Sequence, residues 1–214
     1  HAFVTGGNRG IGAAIAWELA DLGANITLAA RDEAALRHQS QALSQRGDIA
    51  VTCQAMDLRE PGSISEGMAA AREELGPISI LINNAGIAPA APLAKLELDS
   101  WRETFEINVQ ASFLLSQAVL DDMQRQGFGR MINISSTAGL RGYPFVAAYV
   151  ASKHALIGLT RALALELAKE PITVNAVCPG YAETEMADNA IRNIQQSGKT
   201  EAEARAILTR GNPQ

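Results

Sequence analysis

The sequence predicts a doubly wound α/β fold, a parallel sheet with helices on both faces, and three observations carry that expectation. Short β-rich runs alternate with longer helix-period patterns, several runs such as ILI and INI are apolar at nearly every position, and a glycine-rich turn joins the first run to the first helix. A strand without a polar side is buried on both faces, which requires helix layers above and below the sheet. Right-handed crossovers then gather the C-terminal ends of the strands on one edge, where ligands bind beside the point at which strand order reverses.

The elements follow in order. HAFVTGG is the first strand and leads into a helix over 11–22; NITLAAR leads into a helix over 33–45, and IAVTCQAMD into one over 62–75. ISILINNAG precedes one long helix over 100–126, RMINISS precedes a helix over 148–169, and ITVNAVCPG is the sixth strand. Beyond Gly180 the chain turns polar and helix-prone over 187–208, without a strand, and reads as a helical flap near 184–210. No repeat or linker interrupts this order, so 1–214 reads as a single domain.

Composition narrows the function classes. With 214 residues, 47% apolar content and a net charge of -5, the chain suits a large core and a small soluble partner. It has no cluster of Lys or Arg of the kind that marks a nucleic-acid or anionic-membrane binder. No apolar stretch approaches the roughly 20 residues of a membrane helix. Cys53 and Cys178 form neither a CxxC pair nor a disulfide framework, which fits the reducing cytoplasm. His1 and His38 lack acidic or sulfur neighbours at ligand spacing, so no metal is expected. His154, next to Lys153, points about 100° away on its helix and reads as structural or interfacial.

The turn Thr5-Gly6-Gly7-Asn8-Arg9-Gly10-Ile11-Gly12 stands where backbone N–H groups and a helix N-terminus can receive a pyrophosphate. Gly6 permits the tight turn, Gly10 lets phosphates approach, and Gly12 lets the helix close on the sheet. About 20 residues on, a dinucleotide fold places a ribose-binding acid at the end of its second strand. Here that strand ends Ala29-Ala30-Arg31-Asp32. If Ala30 takes the acid's place, Arg31 and Arg9 supply cations for a 2′-phosphate and the cofactor is NADP(H). The competing alignment makes Asp32 the ribose acid and the cofactor NAD.

Tyr149 and Lys153 are four residues apart at the start of a helical pattern and share one helix face. A phenol is a poor base at neutral pH, but a neighbouring ammonium and an oxidised nicotinamide favour its phenolate. Ser136 ends the preceding strand at the same sheet edge, where its hydroxyl can donate to a substrate oxygen; Ser135 is the adjacent alternative.

Taken in order, TGGNRGIG, Asp57, NNAG at 83–86, Asn108, ISS, YVASK at 149–153 and PGYAET resemble the short-chain dehydrogenase/reductase family over nearly all 214 residues. The resemblance implies a Rossmann fold and hydride transfer between nicotinamide C4 and a carbonyl carbon. Tyr149 would donate the proton, Ser136 would polarise the carbonyl, and Lys153 would orient the nicotinamide ribose and lower the Tyr149 pKa. Asn108 would hold a water that resupplies protons through Lys153. Asp57 would contact the adenine, and Asn84 and Gly86 would line the cofactor, with Asn83 as a structural residue. Thr184 would hold the carboxamide beyond Pro179 and Gly180, and Asn8, Ile11, Leu58 and Ala85 complete the implied cofactor contacts.

Leu140, Tyr143 and Phe145 between Ser136 and Tyr149, with Tyr181, point to an apolar or acyl-bearing ketone or alcohol, 3-oxoacyl thioesters included. The resemblance also implies a homodimer or homotetramer and a further strand beyond Gln214. Two other readings stay open: an NAD-dependent dehydrogenase working oxidatively, and a nucleotide sensor that kept the fold and lost turnover.

Overall fold

A computed structural model describes residues 1–182, 185–195 and 198–209. Six parallel strands, β1 (Ala2–Thr5), β2 (Ile26–Ala30), β3 (Val51–Ala55), β4 (Ile80–Asn83), β5 (Gly129–Ile134) and β6 (Ile172–Val177), form one sheet in the order β3-β2-β1-β4-β5-β6. The helices between them are α1 (Gly10–Asp21), α2 (Glu33–Leu43), α3 (Pro61–Leu75), α4 (Leu98–Phe105), α5 (Ala111–Gln126) and α6 (Ala147–Glu166). Asp32 starts α2 by accepting the Ala35 N–H at 3.0 Å, and Pro61 starts α3 with its φ already helical.

The apolar strands work as expected, because alternate side chains enter two separate cores. Phe3, Leu81 and Met131 pack with Met68, Leu115 and Val119 of α3 and α5, whereas Val4, Leu28, Ile82 and Ile134 pack with Ala16, Leu36 and Leu43 of α1 and α2. On β6 only one side is covered: Ile172 and Val174 are buried, while Thr173, Asn175 and Val177 are exposed.

One helical expectation is revised. The long pattern over 100–126 is not one helix, since a π-helical turn at Glu106–Gln110 separates α4 from α5. Such turns displace side chains from the regular 3.6-residue register, and this one contains Asn108. The helix-prone stretch beyond Gly180 forms two helices, α7 (Glu185–Gln195) and α8 (Glu201–Thr209), packed on each other. A capping box starts the second: Thr200 N–H donates to Glu203 Oε2 at 2.8 Å, and Glu203 N–H donates to Thr200 Oγ1 at 3.3 Å. No helix among the described residues is long and apolar enough to cross a membrane.

Candidate active site

Strand order reverses between β1 and β4, so the crevice lies at their C-terminal ends. The glycine turn is fastened there from both sides. The Thr5 hydroxyl donates to Ile82 O at 3.2 Å and accepts the N–H groups of Asn84 and Ala85 at 3.0 and 3.1 Å. The Asn84 amide donates to Thr5 O at 2.9 Å and Gly6 O at 3.3 Å. Asn84 therefore braces the turn from behind, where the sequence suggested a residue lining the cofactor.

Gly6 takes φ +62°, a left-handed conformation that glycine adopts without strain. At Gly12 the issue is space: a Cβ there would lie 2.2 Å from Gly6 O and 2.4 Å from Asn84 Nδ2. The helix start and the turn touch backbone to backbone. Arg9 gives α1 no side-chain cap, so the first-turn amides keep their character as an anion site. These features fit a dinucleotide pyrophosphate.

Ala30 ends β2 paired with Ala55 of β3, followed by exposed Arg31. Asp32 is committed to capping α2, which removes the observation that would have favoured it as a ribose acid. Asp57, past the end of β3, is gripped by Arg59, whose Nη2 lies 2.5 Å from Oδ2 and whose Nη1 reaches Glu103 Oε1 at 3.4 Å. That guanidinium holds the Asp57 carboxyl down to about 2, with a smaller contribution from Arg31. The Asp57–Arg59 pair was not anticipated, although only Leu58 separates the two residues in DLR.

At the end of β5 the serines divide their work. Ser135 is buried and donates to Lys153 O at 3.1 Å, which anchors α6. Ser136 is half-buried, and its oxygen accepts the Ala138 N–H at 3.0 Å, leaving the hydroxyl proton for another acceptor. This arrangement favours Ser136 over Ser135 as the group facing a substrate.

Asn108 is buried and clamped to the segment after β4: its Nδ2 donates to Ile87 O and its Oδ1 accepts Ile87 N–H, both at 2.9 Å. The same Nδ2 donates to Ser152 Oγ at 3.0 Å, and the Ser152 hydroxyl donates to Tyr149 O at 2.8 Å. Ser152 is thus the link that joins the π turn to the Tyr149 helix. Its position inside YVASK was visible, but its partners were not. Gly86 lies against this group, where a Cβ would be 3.0 Å from Asn108 Oδ1 and 3.5 Å from Lys153 Nζ.

Lys153 is buried, donates from Nζ to Ile134 O at 2.7 Å, and lies 5.7 Å from the Tyr149 ring centroid. Burial pulls its pKa down to about 8. Tyr149 moves the other way from the expectation that Lys153 lowers it. Burial raises its phenol, contact with the Ser136 side chain opposes the rise, and Tyr143 adds to it.

The folded-state pKa of Lys153 lies below the ordinary 10.5, so between about 8 and 10.5 the unfolded chain holds more protons and stability rises with pH. Below that window the buried ammonium costs about 3 kcal/mol. Lys153→Met is therefore expected to flatten this rise, and urea midpoints from pH 7 to 10.5 would check it. Parallel curves for variant and wild type would sink the assignment.

Deeper in the sheet, Asn83 and Asn133 are paired in register. The Asn83 amide donates to Asn133 Oδ1 and the Asn133 amide to Thr160 Oγ1, both at 2.8 Å, tying β4, β5 and α6 together. Asn83 is structural, as read. Thr184 lies outside the described residues. Pro179 accepts the Thr137 N–H at 2.9 Å through its carbonyl, bringing the Pro179-Gly180 segment against the Ser136 turn.

A doubly wound parallel sheet with a glycine turn at its switch point, and with Ser, Tyr and Lys gathered at the next strand end, defines a dinucleotide-binding protein with a proton-transfer site. The chain belongs to the short chain dehydrogenase family, whose profile matches residues 1–195. It is 43% identical over 190 residues to a chain named as a ketoacyl reductase of the granaticin polyketide synthase of Streptomyces violaceoruber, covering 87% of this chain and 69% of that one. It is 38% identical over 197 residues to the 3-oxoacyl-acyl-carrier-protein reductase FabG of Salmonella typhimurium, covering 92% and 79%. The crystal structure of an actinorhodin polyketide ketoreductase variant with NADPH superposes with a TM-score of 0.91 at 37% identity, covering 97% of this chain and 80% of that one.

Proposed function

We propose that this chain is an NADP(H)-dependent oxidoreductase that interconverts a ketone and a secondary alcohol, with 3-oxoacyl thioesters as its substrate class. The observation that carries this reading is the convergence of Ser136, Tyr149 and Lys153 beside the Gly86 segment at one sheet edge. Relatives named as ketoacyl and 3-oxoacyl reductases support the substrate class.

Bound NADPH supplies a hydride to the carbonyl carbon. The Tyr149 phenol gives its proton to the carbonyl oxygen, which becomes the alcohol hydroxyl. Ser136 donates a hydrogen bond to that oxygen as negative charge develops. Lys153 holds the nicotinamide ribose, and Asn108 keeps the Ile87 segment and the Tyr149 helix in fixed relation while carrying the water that resupplies the proton. The glycine turn with Asn8, Arg9 and Ile11 holds the pyrophosphate; Asp57, Leu58, Ala85, Gly86, Pro179, Gly180 and Thr184 complete the cofactor contacts.

NADP(H) is supported by exposed Arg31 after Ala30 and by the capping role of Asp32. A charge-assisted bidentate contact implies that Arg31→Ala raises the KM for NADPH about 10- to 100-fold with little change for NADH. Unchanged NADPH kinetics would remove the phosphate role. The function itself is tested by NADPH oxidation with small ketones and 3-oxoacyl thioesters; tight NADPH binding without turnover on any of them would favour a sensor.

The reading extends to a single nucleotide-binding domain over 1–214 with α7 and α8 as the substrate flap, and to a cytoplasmic dimer or tetramer. Exposed Phe113 on α5 and Leu165 on α6, and two free cysteines, support the oligomer and the reducing compartment respectively.

A further inference from the structure

The turn after β3 commits an arginine to a carboxylate at the adenosine end of the crevice. In Asp57-Leu58-Arg59 the carboxylate bends the chain back on itself: Asp57 Oδ1 accepts the Arg59 N–H at 3.0 Å, and Ser63 Oγ of α3 accepts the Asp57 N–H at 3.0 Å. That bend brings the Arg59 side chain onto the same group. Its Nε donates to Oδ1 at 3.0 Å and to Oδ2 at 3.1 Å, and its Nη2 donates to Oδ2 at 2.5 Å. The remaining nitrogen, Nη1, makes one longer contact to Glu103 Oε1 of α4 at 3.4 Å.

The same carboxylate stands close to Arg31. Ala30 and Ala55 are the last partners of β2 and β3, and the Met56 N–H donates to Ala30 O at 2.9 Å. The two strands therefore leave the sheet side by side, with exposed Arg31 one residue past one end and Asp57 two residues past the other. The Asp57 carboxyl is lowered first by the Arg59 hydrogen bonds and, more weakly, by the charge of Arg31. This neighbourhood is a difficulty for a chain whose Arg31 binds a 2′-phosphate. A phosphate monoester carries a charge of about -2 at neutral pH, so an uncompensated carboxylate beside it repels the phosphate and competes for the Arg31 guanidinium.

We propose that Arg59 is a specificity-determining residue that sets the preference for NADPH over NADH by masking the charge of Asp57, which leaves Arg31 to the 2′-phosphate. The proposal rests on the reading of Arg31 as the phosphate ligand. Arg59 acts through Asp57. A tie between the β3 turn and α4 needs only the Glu103 contact, whereas the guanidinium spends its Nε and Nη2 on both oxygens of Asp57, the paired geometry that neutralises a carboxylate most completely. The carboxylate has its own reason to be there, since its Oδ1 closes the turn that leads into α3. A masked charge meets both demands. Because the adenine ring is common to the two coenzymes, any contact that Asp57 makes with it cancels in the ratio of their affinities.

Calorimetric titration of wild type, Arg59→Gln, Arg59→Lys and the double variant Arg59→Gln/Asp57→Asn with NADPH and with NADH gives the ratio of the two Kd values and requires no turnover. In Arg59→Gln the preference for NADPH is expected to fall about fivefold below wild type at about 20 mM salt, and less than about twofold below wild type at about 0.5 M, because the unmasked carboxylate acts through a screened field. Arg59→Lys keeps the charge and most of the preference. In the double variant the ratio returns to within about twofold of wild type, whatever the absolute affinities, since the charge that Arg59 masked is gone. An arginine that only holds the turn would weaken both coenzymes alike, with no dependence on salt and no recovery in the double variant, and that result overturns the proposal. Arg31→Ala separates the two readings. An unchanged ratio in Arg31→Ala removes the phosphate role of Arg31 and the masking with it, whereas a collapsed ratio there beside a wild-type ratio in Arg59→Gln overturns the masking alone.

Discussion

Tyr149→Phe is expected to lower kcat for ketone reduction by about 10³-fold, while the Kd for NADPH stays within about threefold of wild type. The variant removes one oxygen from a ring whose position is fixed by its backbone, since Ser152, itself held by Asn108, donates to the Tyr149 carbonyl and not to its hydroxyl. Folding and cofactor binding are therefore spared. The direction of the phenol shift adds a pH signature. Burial holds Tyr149 above its ordinary value, so the phenol is protonated at neutral pH, the form that reduction consumes. Alcohol oxidation needs the opposite form, and its rate should climb with pH beyond neutrality while reduction does not gain. Stopped-flow NADPH oxidation and the reverse reaction measured from pH 6 to 10 would check both arms. Full activity in Tyr149→Phe would end the proton-donor assignment.

Gly12→Ala is the second large effect, and it acts on the cofactor side. The added methyl would meet Gly6 O at 2.2 Å and Asn84 Nδ2 at 2.4 Å, and the nearer obstacle is backbone that cannot rotate away. Either the α1 N-terminus retreats or the turn opens, and both separate the first-turn amides from the phosphate position. Overpacking of this kind costs about 1–3 kcal/mol, equivalent to a Tm lower by about 2–12 °C for a chain of this size. NADPH affinity should fall at least about tenfold, because an N-terminus moved away from an anion loses several N–H contacts together. Calorimetric titration with NADPH and a thermal melt decide it; wild-type affinity with wild-type stability would show that the turn tolerates a side chain and does not form the cradle.

Much of the fold was legible because its signals are local. The strand runs, the helical periodicity and the four-residue spacing of Tyr149 and Lys153 depend on neighbours a few positions apart, and each reappears in the structure. One helix was misread for a reason that lies outside its own segment. The 100–126 pattern has uninterrupted helical character, and only the Ile87 backbone, packed from a different segment, explains the π turn around Asn108. The stretch beyond Gly180 is helical as its composition predicts, and the capping box of Thr200 and Glu203 starts the second of its two helices.

Side-chain assignments divide in the same way. Asn84 carries the family motif, yet which way its amide turns depends on Thr5 and Gly6, nearly 80 residues earlier in the chain. Ser135 and Ser136 are adjacent and chemically identical, and what distinguishes them is that α6 takes the Ser135 hydroxyl for the Lys153 carbonyl. Asp32 and Arg31 are neighbours in sequence, and only the start of α2 shows that the carboxylate is engaged as a helix cap.

By itself the sequence determined the alternating architecture, the two buried faces of the sheet, and the residue types delivered to its C-terminal edge, since hydrophobic periodicity and glycine turns are written in consecutive residues. Tertiary structure alone decided which strand-end serine keeps its hydroxyl proton, that Lys153 donates to Ile134 O, that burial raises the Tyr149 phenol, and that Phe145 takes a left-handed backbone. Hydrogen-bond allegiance, desolvation and backbone strain are set by atoms that meet across the sheet, and those meetings exist only after the chain has folded.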